Sequence, residues 1–298
     1  QKYPMATIDI LTNAGVNNGI RLGKFLSKDL YDSIIDYSGY SRKELFSILK
    51  ATKYEYIIQL PQVDAGFGKL FRDMLLFRLV ASSGTGWALS QSKWFRKTQA
   101  HFLKFPDERT RLNLLLEKAG IPTRKMDKLL YPSDIDFENV ISLFGKLGLE
   151  RNDDIISVVV GAKRPQNRWP IQYFKEVMEH FAGRYKILLI GSKEDAELAL
   201  PVSNLPSVFN ICGQLTPMES AAALSLCKMT LSNDTGPMHL SYAVNTPTIA
   251  IFSSRDLPGK WYPPAGRNFV FLSKGILCEA CFSEYCGNNI CMQSIHPA

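Results

Sequence analysis

No apolar run in the sequence approaches the roughly 18–20 residues that a membrane-spanning helix needs. The opening residues, QKYPMATIDIL, lack the charged, then apolar, then small-residue layout of a secretory signal. Together these absences lead to the expectation of a cytoplasmic protein. There is no Gly-rich P-loop, no His-Glu-x-x-His and no Gly-x-Ser-x-Gly. That sets aside P-loop nucleotide chemistry, zinc-protease chemistry and the nucleophile-elbow hydrolases. Internal repeats and low-complexity tracts are missing too, and the composition excludes wholesale disorder, collagen and coiled coil.

What is present is an ordinary globular composition. The 298 residues are 46% hydrophobic and 21% charged, a length that suggests two domains, each with a core of its own. The formal net charge of +7 is unevenly spread. Residues 1–150 hold 22 Lys+Arg against 16 Asp+Glu, and residues 151–298 hold 13 against 12. A basic first half either concentrates an anionic partner by long-range attraction or serves as plain solubility charge. No nucleic-acid motif accompanies it, so nucleic acid is not expected as a partner.

The second half alternates strand and helix patterns. Ile155–Val160 is a continuous apolar, β-branched run, the pattern of a strand buried on both faces. Pro170 opens a helix through Phe181, with Phe174, Val177, Met178 and Phe181 at helical spacing. Strands are expected at Lys186–Ile190, Ser207–Asn210, Met229–Ser232 and Thr248–Phe252, with helices at Lys193–Leu200, Pro217–Cys227 and Gly236–Val244 between them. Such alternation means a parallel sheet covered by helices on both faces. In the first half, Thr7–Leu11, Ser33–Asp36 and Tyr56–Leu60 read as strands, and Lys69–Val80, Asp107–Ala119 and Glu138–Gly145 as helices. Ser82–Thr98 shows no clear period. Pro122, Pro132 and several acidic residues between 121 and 153 place the domain boundary near 150, giving domains 1–150 and 151–298.

The stretch Leu231–Phe252, LSNDTGPMHLSYAVNTPTIAIF, carries the chemistry. It reads as strand, tight polar turn, helix, strand, with the turn at the carboxyl end of a parallel strand, where open α/β sheets bind ligands. Asp234 or Thr235 suits the helix cap, Gly236 admits a ligand close to the backbone, and Pro237 is tolerated in the first turn. Bare N–H groups at such a helix start, with the helix dipole, form a phosphate site, and His239 can donate to the same ligand. A carboxylate at Asp234 suits sugar hydroxyls. The turn therefore fits a ligand with both a diphosphate and a sugar, the bland alternative being a capping turn with a surface histidine.

Asp234–Leu240, followed by an Ala and then a Pro that opens an apolar strand, resembles the signature of the glycosyltransferase family 9 heptosyltransferases, which build the inner core of lipopolysaccharide. Gln214–Ala223, Asn167–Phe174, Leu189–Glu194, Trp261-Tyr262-Pro263, the cysteine cluster ending Cys291-Met292, and Tyr3-Pro4 to Thr12 resemble other family segments in the same order. The resemblance implies a GT-B-like α/β fold, two Rossmann-like domains with parallel sheets facing a cleft. It implies an inverting, metal-free transfer of heptose from a nucleotide-diphosphate donor, typically ADP-heptose, to an anionic lipopolysaccharide-type acceptor. No cofactor is required, and contact at the periphery of the inner membrane fits such an acceptor. Carried over, Asp234, Thr235, Gly236, Pro237 and His239 would contact the donor's sugar and diphosphate. Glu194 would lie near the nucleotide, with Asp195 as the competing match, and the loop Gly161–Arg168 would reach the diphosphate.

Two departures stand out. Where the family places a Lys two residues before the Trp, this chain has Asn167, and Lys163, Arg164 and Arg168 are the nearby cations that replace its charge. The family's base lies in a loop after the first strand. By the resemblance, this chain is expected to join the fold one βα unit later, which leaves its catalytic residue unassigned; Asp64 matches on position alone. A non-catalytic sugar-nucleotide or glycan-binding homologue is the alternative function.

Cys212 and Cys227 read as buried small hydrophobes. Cys278, Cys281, Cys286 and Cys291 fall within fourteen residues, a spacing open to a structural zinc knuckle or to reduced thiols. The segment Lys69–Val80 is open to core packing or to resting on an anionic membrane. The aromatic and basic run Trp87–Arg96 is open to acceptor stacking, and His101, His180 and His296 suggest no site.

Overall fold

The computed structural model describes residues 5–13, 22–26, 28–60, 67–85, 106–124, 126–150, 152–273 and 275–297. Asp64, Trp87–Arg96 and His101 lie outside the described residues. Two compact units divide the chain, Gln1–Lys125 and Met126–Ala298.

In the N-terminal unit, β1 (Asp9–Thr12) pairs in parallel with β2 (Ser33–Asp36), and β3 (Tyr54–Ile58) pairs in parallel with β4 (Ala81–Thr85). Among its described residues the α-helices are α1 (Arg42–Thr52), α2 (Phe67–Val80) and α3 (Glu108–Lys118). A capping box starts α1: the Ser41 side chain accepts from the Glu44 N–H, and the Glu44 carboxylate accepts from the Ser41 N–H. Two of these elements escape the sequence patterns, α1 and the small-residue strand β4. Helix α2 buries Leu70 and Val80 but leaves Phe67, Phe71, Leu75 and Leu79 exposed within this unit.

The C-terminal unit is built on six parallel strands in the order β10-β9-β8-β5-β6-β7. They are β5 (Ile155–Val159), β6 (Lys186–Leu189), β7 (Val208–Asn210), β8 (Met229–Asn233), β9 (Thr248–Phe252) and β10 (Phe269–Leu272). Strand β5 is buried along its whole length because helices cover both faces, which is why its sequence is continuously apolar. Helices α4 (Asp134–Lys146), α5 (Ile171–Phe181), α6 (Asp195–Ser203), α7 (Pro217–Ser225) and α8 (Gly236–Ala243) flank the sheet, and a short α9 (Ile290–Gln293) lies near the C-terminus. Along β6 the side chains alternate between two cores. Ile187 and Leu189 meet Phe174 and Met178 of α5, while Leu188 faces Val140 and Phe144 of α4 and the small residues Ala221–Ala223 of α7.

Helix α4 accounts for the difference between the boundary expected near 150 and the observed division at Lys125/Met126. Its apolar face lies on α7, and Asn139 donates to Glu219 at 2.7 Å, so it belongs to the second core. Farther upstream, the N–H groups of Leu129 and Leu130 bond the Ala243 carbonyl at the end of α8. Chain order decides where ligands fit. From β5 the chain moves outward through β6 and β7, then returns to the other side of β5 at β8. The strand order thus reverses between β5 and β8, the switch point where loops diverge and leave a crevice at the carboxyl ends. Among the described residues no helix is long and apolar enough to cross a membrane.

Candidate functional site

Strand β8 ends at Asn233, whose side chain is fully buried and satisfied on both sides. Its Oδ1 accepts from the Trp169 N–H at 2.9 Å, and its Nδ2 donates to the Val160 carbonyl at 2.8 Å. One amide thus pins the loop after β5 to the end of β8. The next residue, Asp234, accepts at Oδ2 from Asn167 Nδ2 at 3.1 Å, and Asn167 Oδ1 accepts from Ser253 Oγ at 2.7 Å. Loops from three adjacent strands, β5, β8 and β9, are therefore tied together around the Asp234 carboxylate.

Helix α8 starts immediately after. Thr235 occupies the cap position in extended geometry but makes no side-chain capping bond, and neither does Asp234. Pro237 has no N–H, and His239 N–H reaches back to the Thr235 carbonyl at 3.4 Å. By position, the N–H groups of Gly236 and Met238 are left without an intrahelical acceptor, at the positive end of the helix dipole. A Cβ built on Gly236 would touch nothing within 4 Å, so the space that its small size leaves is open above the backbone. Such a start accepts an anion.

Electrostatics divide the roles. Burial first, and then the nearby Asp256 carboxylate, push Asp234 up to about 7, while Arg164, Arg255 and Lys260 pull the other way. Burial drives His239 down to about 4, so it is a neutral imidazole at pH 7 that offers a hydrogen bond and no charge. Its Nδ1 lies 3.3 Å from the Tyr242 hydroxyl. A cavity beside Asp234 is walled by Phe252, Ser253, Asp256, Trp261 and Tyr262.

The cations expected from the β5 loop are unequally available. Lys163 is exposed; Arg164 pairs with Glu284 at 3.4 Å; Arg168 turns its Nε onto the Ala162 carbonyl at 2.9 Å. Glu194 and Asp195 also separate. The Asp195 carboxylate accepts from the Ser192 N–H at 2.8 Å and leaves no space for a Cβ at Gly161, where its Oδ1 would lie 1.9 Å away. Asp195 is thus a turn residue at the start of α6, whereas Glu194 remains exposed.

Two cations in the loop after β9, Arg255 and Lys260, escaped the sequence patterns, as did the pinning role of Asn233. Both are nearly buried. The Arg255 guanidinium donates to the carbonyls of Ser283 (2.9 Å) and Phe282 (3.3 Å), fastening the cysteine-bearing tail. The N–H groups of Ala280 and Phe282 bond back to the carbonyls of Ser254 and Arg255. A cluster of polar residues directly after a buried strand, at its carboxyl end, was the available signal. In the tail itself the cysteines are free, with Cys278, Cys281 and Cys286 exposed and Cys291 buried. Among the described residues no three His, Cys, Asp or Glu side chains stand together as a group that could hold a metal ion.

Comparisons with known proteins follow the same lines. The sequence profile of glycosyltransferase family 9 (heptosyltransferase) matches residues 42–291. A lipooligosaccharide heptosyltransferase 2 of Campylobacter jejuni is 25% identical over 178 residues, 57% of this chain and 54% of that protein. The chain thus spans about half the length of this curated relative. Among solved structures, a glycosyl transferase family 9 protein of Veillonella parvula superposes with a TM-score of 0.64 at 19% identity, covering 89% of this chain and 76% of that one. An Escherichia coli heptosyltransferase solved with ADP-2-deoxy-2-fluoro heptose gives 0.59 at 18% identity, covering 91% and 85%. These likenesses are of fold, an α/β architecture with parallel sheets of the GT-B-like kind. With the profile matched over most of its length, this chain belongs to glycosyltransferase family 9, the heptosyltransferase family.

Proposed function

We propose that this chain is an inverting glycosyltransferase that moves heptose from ADP-heptose to a lipopolysaccharide-type acceptor. The observation that carries this is the uncapped start of α8 beside a half-buried carboxylate: a place for a diphosphate next to a place for sugar hydroxyls. In this mechanism the donor's diphosphate sits on the N–H groups of Gly236 and Met238, and the neutral His239 donates a further hydrogen bond. Asp234, ionised, accepts from the sugar hydroxyls, and Thr235 and Pro237 shape the turn. Glu194 lies toward the nucleotide, and Lys163, Arg164 and Arg168 add positive potential over the diphosphate.

The acceptor hydroxyl oxygen forms a bond to the anomeric carbon as the carbon–oxygen bond to the diphosphate breaks on the opposite face. The hydroxyl proton leaves to a base, and the electron pair of the broken bond goes to the diphosphate. Bare amides and nearby cations lower the barrier by stabilising that growing charge without reorganising. The N-terminal unit is the acceptor side and the C-terminal unit the donor side, and the protein works in the cytoplasm at the periphery of the inner membrane. Support for donor and acceptor comes from the names of the relatives: a lipooligosaccharide heptosyltransferase, and a heptosyltransferase solved with an ADP-heptose analogue.

A turnover assay with ADP-heptose and a heptose-deficient lipopolysaccharide core tests the proposal. Transfer by the wild-type chain, abolished in Asp234→Ala with the fold intact, is the expected outcome. ADP binding without transfer would instead favour a sugar-nucleotide-binding homologue, and unchanged turnover in the variant would remove Asp234 from the site.

A further inference from the structure

We propose that Lys260 is the side chain that takes up the negative charge of the donor's diphosphate; this rests on the function proposed above. Lys260 is only 8% exposed, in the loop after β9 whose Leu257, Pro258, Trp261 and Tyr262 wall the cavity beside Asp234. Among the described residues its ammonium makes no hydrogen bond and no ion pair. It lies over the Trp261 ring, with Nζ 4.8 Å from the centroid. A lysine whose side chain is largely covered and whose ammonium has no carboxylate within ion-pair distance keeps its charge available, and a ring face answers only part of it. A cation so placed is suited to an anion that arrives with the ligand.

The two other cations that act on Asp234 are already engaged. Arg255 is spent on the tail carbonyls of Phe282 and Ser283, and Arg164 on Glu284. Arg168 is turned onto Ala162, and Lys163 is exposed. Asn167 is neutral and committed on both sides, to Asp234 and Ser253. Of the three cations that act on Asp234, Lys260 is the uncommitted one, and its action through space puts it within electrostatic reach of the turn at α8. Its chemistry suits the task. An ammonium on a four-carbon stem is a compact point charge that can swing between two phosphates, and the Trp261 face would hold it ready.

Calorimetry on the full chain, with ADP and with AMP as the single-phosphate control, tests this. Lys260→Met keeps the stem and deletes the charge. ADP binding is expected to weaken at least tenfold and its salt dependence to flatten, while AMP binding changes less than threefold. Lys260→Arg should recover part of the loss. Lys260→Gln gives the same readout should the methionine variant fail to show a cooperative melt. If the wild type binds ADP and the neutral variants bind it equally well, the assignment of Lys260 is overturned and the proposed function stands. If the wild type does not bind ADP, both fall together.

Discussion

The side-chain amide of Asn167 donates to the Asp234 carboxylate at 3.1 Å, so the loop after β5 directly supports the acid that the proposed donor site depends on. A donor to a carboxylate favours its ionised form and opposes the burial that pushes Asp234 up to about 7. Asn167→Ala removes that donor. Asp234 should then rise further, and the loss of donor binding on acidification should begin at a higher pH than in the wild type. Calorimetric ADP-heptose binding between pH 6 and pH 9 checks this, and superimposable profiles would count against it.

Asp234 also costs stability where it is useful. Its folded value lies above the ordinary 3.8, so the folded chain holds that proton more tightly than the unfolded chain. The resulting stabilisation is full below about pH 4 and is lost as the pH rises through about 7. Asp234→Asn does not have this dependence. The variant's advantage over wild type should be near zero at pH 4, grow toward pH 7 and then level at no more than about 4 kcal/mol. His239, held down near 4, contributes the opposite slope between 4 and 6.5, but it is common to both proteins and cancels in the difference. Denaturant unfolding at a series of pH values reads the curve. The same variant should lose donor binding, because an amide replaces the acceptor for the sugar hydroxyls.

The central strands were legible because burial on both faces writes itself into sequence: IISVV at β5, KILL at β6 and TIAIF at β9 admit few other interpretations. Strand β4, ASSGT, was not, because small polar side chains carry no period and its place depends on pairing with β3. Helix α1 had a usable signal in Ser41 and Glu44. Helix α4 was legible as a helix, but its membership in the second unit is a matter of what it packs on, namely α7, some eighty residues away. The stretch around Asp234–His239 was legible as a strand end running into a helix, but local chemistry left its start open between a ligand site and a plain capping turn. Lys260 and Arg255 could not be read from sequence, since their closeness to Asp234 exists only because β9 lies beside β8.

Asn233 should be the most sensitive single residue for the integrity of the site. Its amide is fully buried and bonds both Trp169 N–H and the Val160 carbonyl. Truncation leaves two backbone groups unpaired away from water, each worth about 1–3 kcal/mol. Asn233→Ala is therefore expected to lose about 2–5 kcal/mol in chemical denaturation. Asn233→Asp should fare no better, because an acid there has no amide hydrogen to give Val160. A variant within 0.5 kcal/mol of wild type, as an ordinary surface change would be, contradicts the pinning role.

The six cysteines should separate by reactivity. Burial pushes Cys212 and Cys227 up to about 12, so at pH 8 almost no thiolate forms and they should stay inert until the chain unfolds. Cys291 is also held above its usual range, by burial first and then by the nearness of Cys278, Cys286 and Cys281. Those three are exposed. A colorimetric thiol titration of the reduced native protein should therefore show a fast phase of three equivalents and a remainder released by denaturant. Protection of all four tail thiols, relieved by a chelator, would mean that they close around a metal ion in solution. Because Ala280 and Phe282 bond the backbone of Ser254 and Arg255, alkylating the fast thiols should also weaken ADP binding through the loop that carries Lys260. Unaltered affinity after full modification would show that the tail and the donor loop are held together only as packing, with no effect on the ligand.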